Sequence, residues 1–116
     1  MTEDEQRTVL KEFAQAVNMS AAQLDKWLDS PESKEVGYKA SGHGESVGHQ
    51  SGRHIIKLLN KKQSGFDDAD FQHARKVVGY IHRHLAQRPA GDISETHWRY
   101  SLMNWGHDPA GKKKAA

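Results

Sequence analysis

Cysteine is absent from this 116-residue chain, so neither a disulfide framework nor thiolate chemistry is open to it. No apolar run approaches the roughly 20 residues that a membrane-crossing helix needs. The first ten residues, MTEDEQRTVL, are acidic and lack the hydrophobic centre of a secretory signal. These absences predict a soluble, cytoplasmic protein with no membrane partner. Catalytic and cofactor signatures are missing as well. There is no His-Glu-x-x-His and no Gly-Lys-Ser of a phosphate loop, and Gly42, Gly44 and Gly48 are wrongly spaced for a dinucleotide fingerprint. Ser46, Ser51, Glu45 and the histidines can be drawn as a triad, but serine beside histidine is expected by chance in so polar a stretch. The expectation is a non-enzymatic chain with no cofactor and no metal site. No internal repeat and no strand pattern stands out, and the length suits one domain.

What is present favours helix. Phe66 to Pro89 reads as one long helix over about 67–87: Asp67 can cap it with Asp70 at the third position, Phe66 and Phe71 can staple its first turn, and Pro89 stops it. Phe71, Ala74, Val78, Ile81 and Leu85, widened by Val77, draw an apolar stripe, with Arg75, Lys76, His82 and Arg83 opposite. This helix is the expected centre of the fold.

Upstream, Glu3 to Val17 forms an amphipathic helix through Val9, Leu10, Phe13 and Val17. Ser20 and Gln23 box the start of a second, which buries Leu24, Trp27 and Leu28 and ends near Ser30. Ser30-Pro31-Glu32 then opens a short turn that Gly37 closes. The five glycines from Gly37 to Gly52 predict a flexible Gly-rich loop over about 37–50. A third helix runs from about Ser51, or from as early as Ser46, to Lys62, with Ile55, Ile56, Leu58 and Leu59 inside. After Pro89, Asp92 and Glu95 signal a last helix that carries Trp98, Leu102 and Trp105 and stops at Gly106 and Pro109. The sum is an all-α, single-domain bundle of about five helices over residues 1–109, followed by a disordered basic tail over 110–116.

The formal net charge is only +2, yet residues 1–35 hold eight acidic and four basic side chains, while residues 36–116 hold seven and thirteen. Ser46 to Ser64 has no acid against Arg53, Lys57, Lys61 and Lys62, and Phe71 to Gly91 has none against Arg75, Lys76, Arg83 and Arg88. Spacings of four and seven align Arg53, Lys57 and Lys61, and Lys76 with Arg83, on helix faces. Ser51, beside Gly52 and Arg53 at a helix start, would add free amides and a hydroxyl suited to a phosphate. The alternative for Gly48 and Gly52 is that they let two helices approach closely. Lys112, Lys113 and Lys114 extend the cationic set. No helix combines Arg, Asn and Gln in a helix-turn-helix pattern, so these stripes suit phosphate contacts rather than base reading. The eight histidines lack metal-ligand spacing, His82 and His84 being two apart, and read as solvated or partly packed.

The stretches EFAQAVNMSAAQLDKWLDSPESKEVG, GESVGHQSGRHIIKLL, ARKVVGYIHRHLAQRP and ETHWRYSLMNWGHDP together cover most of residues 12–109. In them the chain resembles a small uncharacterised bacterial family with fungal relatives, catalogued as a domain of unknown function and often labelled "DNA-binding protein". The resemblance implies nucleic-acid binding and brings no catalytic residue or cofactor. The expectation is DNA binding of low sequence selectivity through the basic residues named, which would place the protein on the nucleoid. The alternative is a protein-interaction module or homodimer that uses the acidic first helix or the aromatic last one. Exposure of Trp98 or Trp105 in an apolar patch would favour it.

Overall fold

A side-chain oxygen caps the start of each of six α-helices, so the boundaries of the fold are set mainly by short polar side chains. In the computed structural model, which describes residues 1–36 and 45–111, the helices are α1 (Glu3–Ala16, capped by Thr2), α2 (Ala21–Leu28, Ser20) and α3 (Pro31–Glu35, Ser30). They continue with α4 (Val47–Asn60, Ser46), α5 (Asp68–Leu85, Asp67) and α6 (His97–Asn104, Thr96). A single 3-10 turn at Gln63–Gly65 links α4 to α5, and no strand occurs among the described residues. The bundle is all-α, as expected.

The long helix forms as its residues dictate. Asp67 accepts the Asp70 N–H at 2.9 Å, Asp70 accepts the Asp67 N–H at 3.0 Å, and the Phe66 and Phe71 rings meet edge to face at 5.5 Å. Its stripe of Phe71, Ala74, Val77, Val78 and Ile81 is buried. Against it lie α1, through Val9, Phe13 and Ala16, and the layer of α2, α4 and α6, through Leu24, Leu28, Ile55, Leu58, Leu102 and Trp105. Asn104, fully buried, ties α6 to the N-terminal half. Its Oδ1 accepts from Trp27 Nε1 at 2.8 Å and from Ser33 Oγ at 2.5 Å, and its Nδ2 donates to the Ser33 carbonyl at 3.1 Å.

Three expectations are corrected. The Gly-rich loop ends earlier than residue 50, because Ser46 accepts the His49 N–H at 3.0 Å and starts α4 at Val47; residues 37–44 of that loop lie outside the described residues. Gly48 and Gly52 are therefore helical. A Cβ on Gly52 would lie 2.6 Å from the Asn104 carbonyl oxygen and 2.8 Å from Leu28, so this glycine is where α4 touches α6 and α2. The turn expected at Ser30 is the five-residue helix α3. The last helix starts at Thr96 rather than at Asp92, because Asp92 Oδ1 accepts the Ser94 N–H at 2.9 Å and closes a local turn instead of capping.

The end of α6 does follow the expected glycine signal. Gly106, at φ 84°, donates to the Met103 carbonyl and His107 to that of Leu102, both at 3.0 Å, a Schellman closure. Beyond it, Asn18 exchanges two hydrogen bonds with Asp108, at 2.9 and 2.7 Å. These bonds fasten the chain end to the α1–α2 linker.

Candidate nucleic-acid interface

The fold sorts the expected cations into distinct groups. Lys57, Lys62, Lys76, Arg83 and Arg88 are exposed and pair with no acid among the described residues. Arg88 lies over the Trp98 ring at 5.5 Å. Arg53 is exposed but holds Glu45, which also takes His49. Lys61 is the residue that ends α4, and its Nζ is 2.6 Å from Asp70 Oδ2. That hydrogen bond raises the Lys61 pKa and lowers that of Asp70, so the pair stays ionised and its charge is internally cancelled.

The single basic face expected on α5 is split by α1. Arg75 and His82 border a groove of about 430 Å³ shared with Asp4, Glu5 and Glu12 of that acidic helix. Lys76 and Arg83 point to the other flank, where they border a pocket of about 290 Å³ between α4, α5 and α6. Ser51 is corrected outright. It lies a full turn inside α4, so its amide is not free, and its buried hydroxyl sits 3.1 Å from His73 Nε2. Lys112, Lys113 and Lys114 fall outside the described residues.

The histidines are more ordered than their spacing suggested. His54 of α4 stacks on His73 of α5 at 4.0 Å, His73 lies parallel to Trp105 at 6.5 Å, and Trp105 stacks on Tyr80 at 4.1 Å. Tyr80 stacks on His84 at 5.2 Å, and His84 on Trp98 at 5.9 Å. His84 and Trp98 also exchange hydrogen bonds: Trp98 Nε1 donates to the His84 carbonyl at 2.7 Å, and His84 Nε2 to that of Trp98 at 3.2 Å. Burial pushes the His73 pKa down to about 4, helped by the neighbouring His54 and Lys76, and burial lowers that of His84 too. Both rings are therefore neutral near pH 7. The signal for this ladder was present in the sequence, since His73, Val77, Tyr80 and His84 share one helical face.

The His54–His73 stack also fixes the α4/α5 seam. Lys57 lies one turn along α4 from His54, and Lys76 one turn along α5 from His73, and the two lysines border different pockets. Arg99 does not join them: its guanidinium grips Asp108 at 3.0 and 3.1 Å.

A family model described as a protein of unknown function (DUF3140) matches residues 12–103, most of the chain. The chain belongs to the DUF3140 family. No curated protein and no solved structure matches it. Every described cation of the candidate set lies inside the DUF3140 match, whereas Trp105 and the Asn18–Asp108 clasp involve residues beyond its end. Among the described residues, no helix of this DUF3140 protein is long and apolar enough to cross a membrane.

Proposed function

We propose that this protein binds duplex DNA along its phosphate backbone, without catalysing a reaction and with little sequence selectivity. The observation that carries the reading is that Lys57 of α4 and Lys76 and Arg83 of α5 are exposed with no acid partner among the described residues, while the acidic α1 lies beside Arg75 and His82 on another flank of α5. Separating the charges in this way leaves one side of a nearly neutral molecule cationic, and such a side attracts phosphates by counterion release. A protein of this kind works in the cytoplasm, on the nucleoid.

The aromatic last helix gives the interaction-module alternative no exposed apolar patch, which leaves that alternative the acidic first helix. Trp105 is 5% exposed, Trp98 is half-buried, and the one exposed large hydrophobic residue among those described is Met1.

The test is fluorescence anisotropy of a labelled random-sequence duplex at several salt concentrations. Four to five unpaired cations predict micromolar binding with a log–log salt slope of about −4. Lys57→Glu with Lys76→Glu should weaken binding equally on every duplex and flatten the slope by about 2. Lys61→Gln should change the slope less, because Asp70 already neutralises that lysine. Absence of binding at about 50 mM salt, or losses confined to some sequences, defeats the backbone reading.

A further inference from the structure

The pocket of about 290 Å³ between α4, α5 and α6 has features that phosphate-backbone contacts do not use. Val47, Gly48, Tyr80 and Trp105 form apolar walls, and Ser101, Asn104 and the exposed cations Lys76 and Arg83 complete the lining. Trp105 is held rigidly, being 5% exposed and stacked on Tyr80 at 4.1 Å. Burial keeps the Tyr80 hydroxyl in its neutral form.

The three indole N–H groups differ in their surroundings. That of Trp27 donates to Asn104 and that of Trp98 to the His84 carbonyl. The Trp105 N–H has no partner among the described residues and faces the space left by Gly48, where a Cβ would lie 3.0 Å from Nε1. That N–H opens into the pocket rather than being sealed in the core, since no buried side-chain nitrogen or oxygen among the described residues lacks a partner. An apolar slot, one unfilled donor at its wall and two cations at its edge match a single class of ligand.

We propose that this pocket binds a small planar anion: one aromatic ring system in the slot, an acceptor on Trp105 Nε1, and a carboxylate or phosphate facing Lys76 and Arg83. The volume lies at the lower end of the range for small-molecule sites, which suits one or two fused rings and excludes a larger cofactor.

The probes are indole-3-acetate and phenyl phosphate, with the uncharged indole-3-acetamide and phenol as their counterparts, titrated into ¹⁵N-labelled full-length protein without DNA. The indole N–H resonances are read, and Trp105→Phe assigns the third. The Trp105 signal should move with a Kd between about 10⁻⁴ and 10⁻³ M, as expected for ligands of this size. The uncharged analogues should bind at least about tenfold more weakly, and the Trp27 and Trp98 signals should stay in place. Lys76→Gln with Arg83→Gln, both at exposed positions, should erase the preference for the anion. The proposal is overturned if the Trp105 signal does not move at millimolar probe, if anion and neutral analogue bind alike, or if all three indoles shift together. Because no DNA is present, none of these results bears on the DNA reading, and loss of DNA binding leaves this one standing.

Discussion

Replacing Gly52 by alanine sets two effects against each other, and the structure says which wins. In a helix interior alanine is favoured over glycine by about 1 kcal/mol. At Gly52, however, the new methyl would lie 2.6 Å from a backbone oxygen of α6 and 2.8 to 3.0 Å from both Leu28 methyls, where ordinary contact is 3.4–4 Å. The oxygen belongs to Asn104, which cannot retreat without straining its bonds to Trp27 and Ser33. Overpacking of this kind costs about 3 kcal/mol, leaving a net loss of about 2 kcal/mol. With roughly 2.1 cal/mol/K of unfolding entropy per residue, that lowers Tm by about 8 °C in a domain of this size.

Gly79 is the internal control. There a Cβ meets only the mobile Arg83 guanidinium at 3.1 Å, so alanine should stabilise by up to about 1 kcal/mol and raise Tm by roughly 2–4 °C. Urea and thermal unfolding followed by far-UV circular dichroism would measure both. If Gly52→Ala stabilised the protein as Gly79→Ala does, α4 and α6 would not touch at Gly52 and the bundle described above would be wrong.

Asn104→Ala strands the Trp27 indole N–H and both polar groups of Ser33, so it should cost about 3 kcal/mol, seen as a fall in the urea midpoint; a loss below about 1 kcal/mol would mean that water replaces the amide. His73 should make the fold acid-sensitive. Its pKa is lowered from 6.5 unfolded to about 4 folded, so its contribution is complete above about pH 6.5, declines as the pH falls, and is gone below about pH 4. Discounted for a half-exposed ring, the loss is about 1–2 kcal/mol. His84 shifts in the same direction and adds to it. Stability measured in urea at intervals between pH 7 and pH 4 should fall less steeply in His73→Phe, and parallel curves would contradict the assignment. The salt slope on duplex DNA and the Trp105 indole shift complete the set.

The candidate surface was only half legible in the sequence. Acid-free stretches on α4 and α5 pointed to cations, and every one of those that the structure describes is exposed, though Arg53 and Lys61 are paired with acids. Which cations are neutralised depends on acids brought in from other elements: Asp70 reaches Lys61 across nine residues and Glu45 reaches Arg53 across eight, while Arg75 shares a groove with carboxylates of α1. Ser51 was misplaced because its phosphate role rested on the later of two offered starts for α4, whereas the earlier one, at Ser46, is the one the structure shows. The competing signal, Ser46 as a cap ahead of a glycine-bearing helix, was visible but weaker than the glycine count.

Helix existence, the apolar faces and most start points were determined by the sequence itself, because a cap acts over three residues and an amphipathic stripe repeats every three to four. Asp67 with Asp70, Ser20 with Gln23, and the Val77-centred stripe needed no tertiary information. The tertiary structure alone decided what each face meets: Gly52 against Asn104, His54 on His73, Lys76 and Arg83 beside Trp105 while Arg75 turns to α1. The physical reason is range. Helix periodicity marks which side of a segment is apolar, but the partner for that side, and the charges left uncancelled around it, are chosen by packing between segments tens of residues apart.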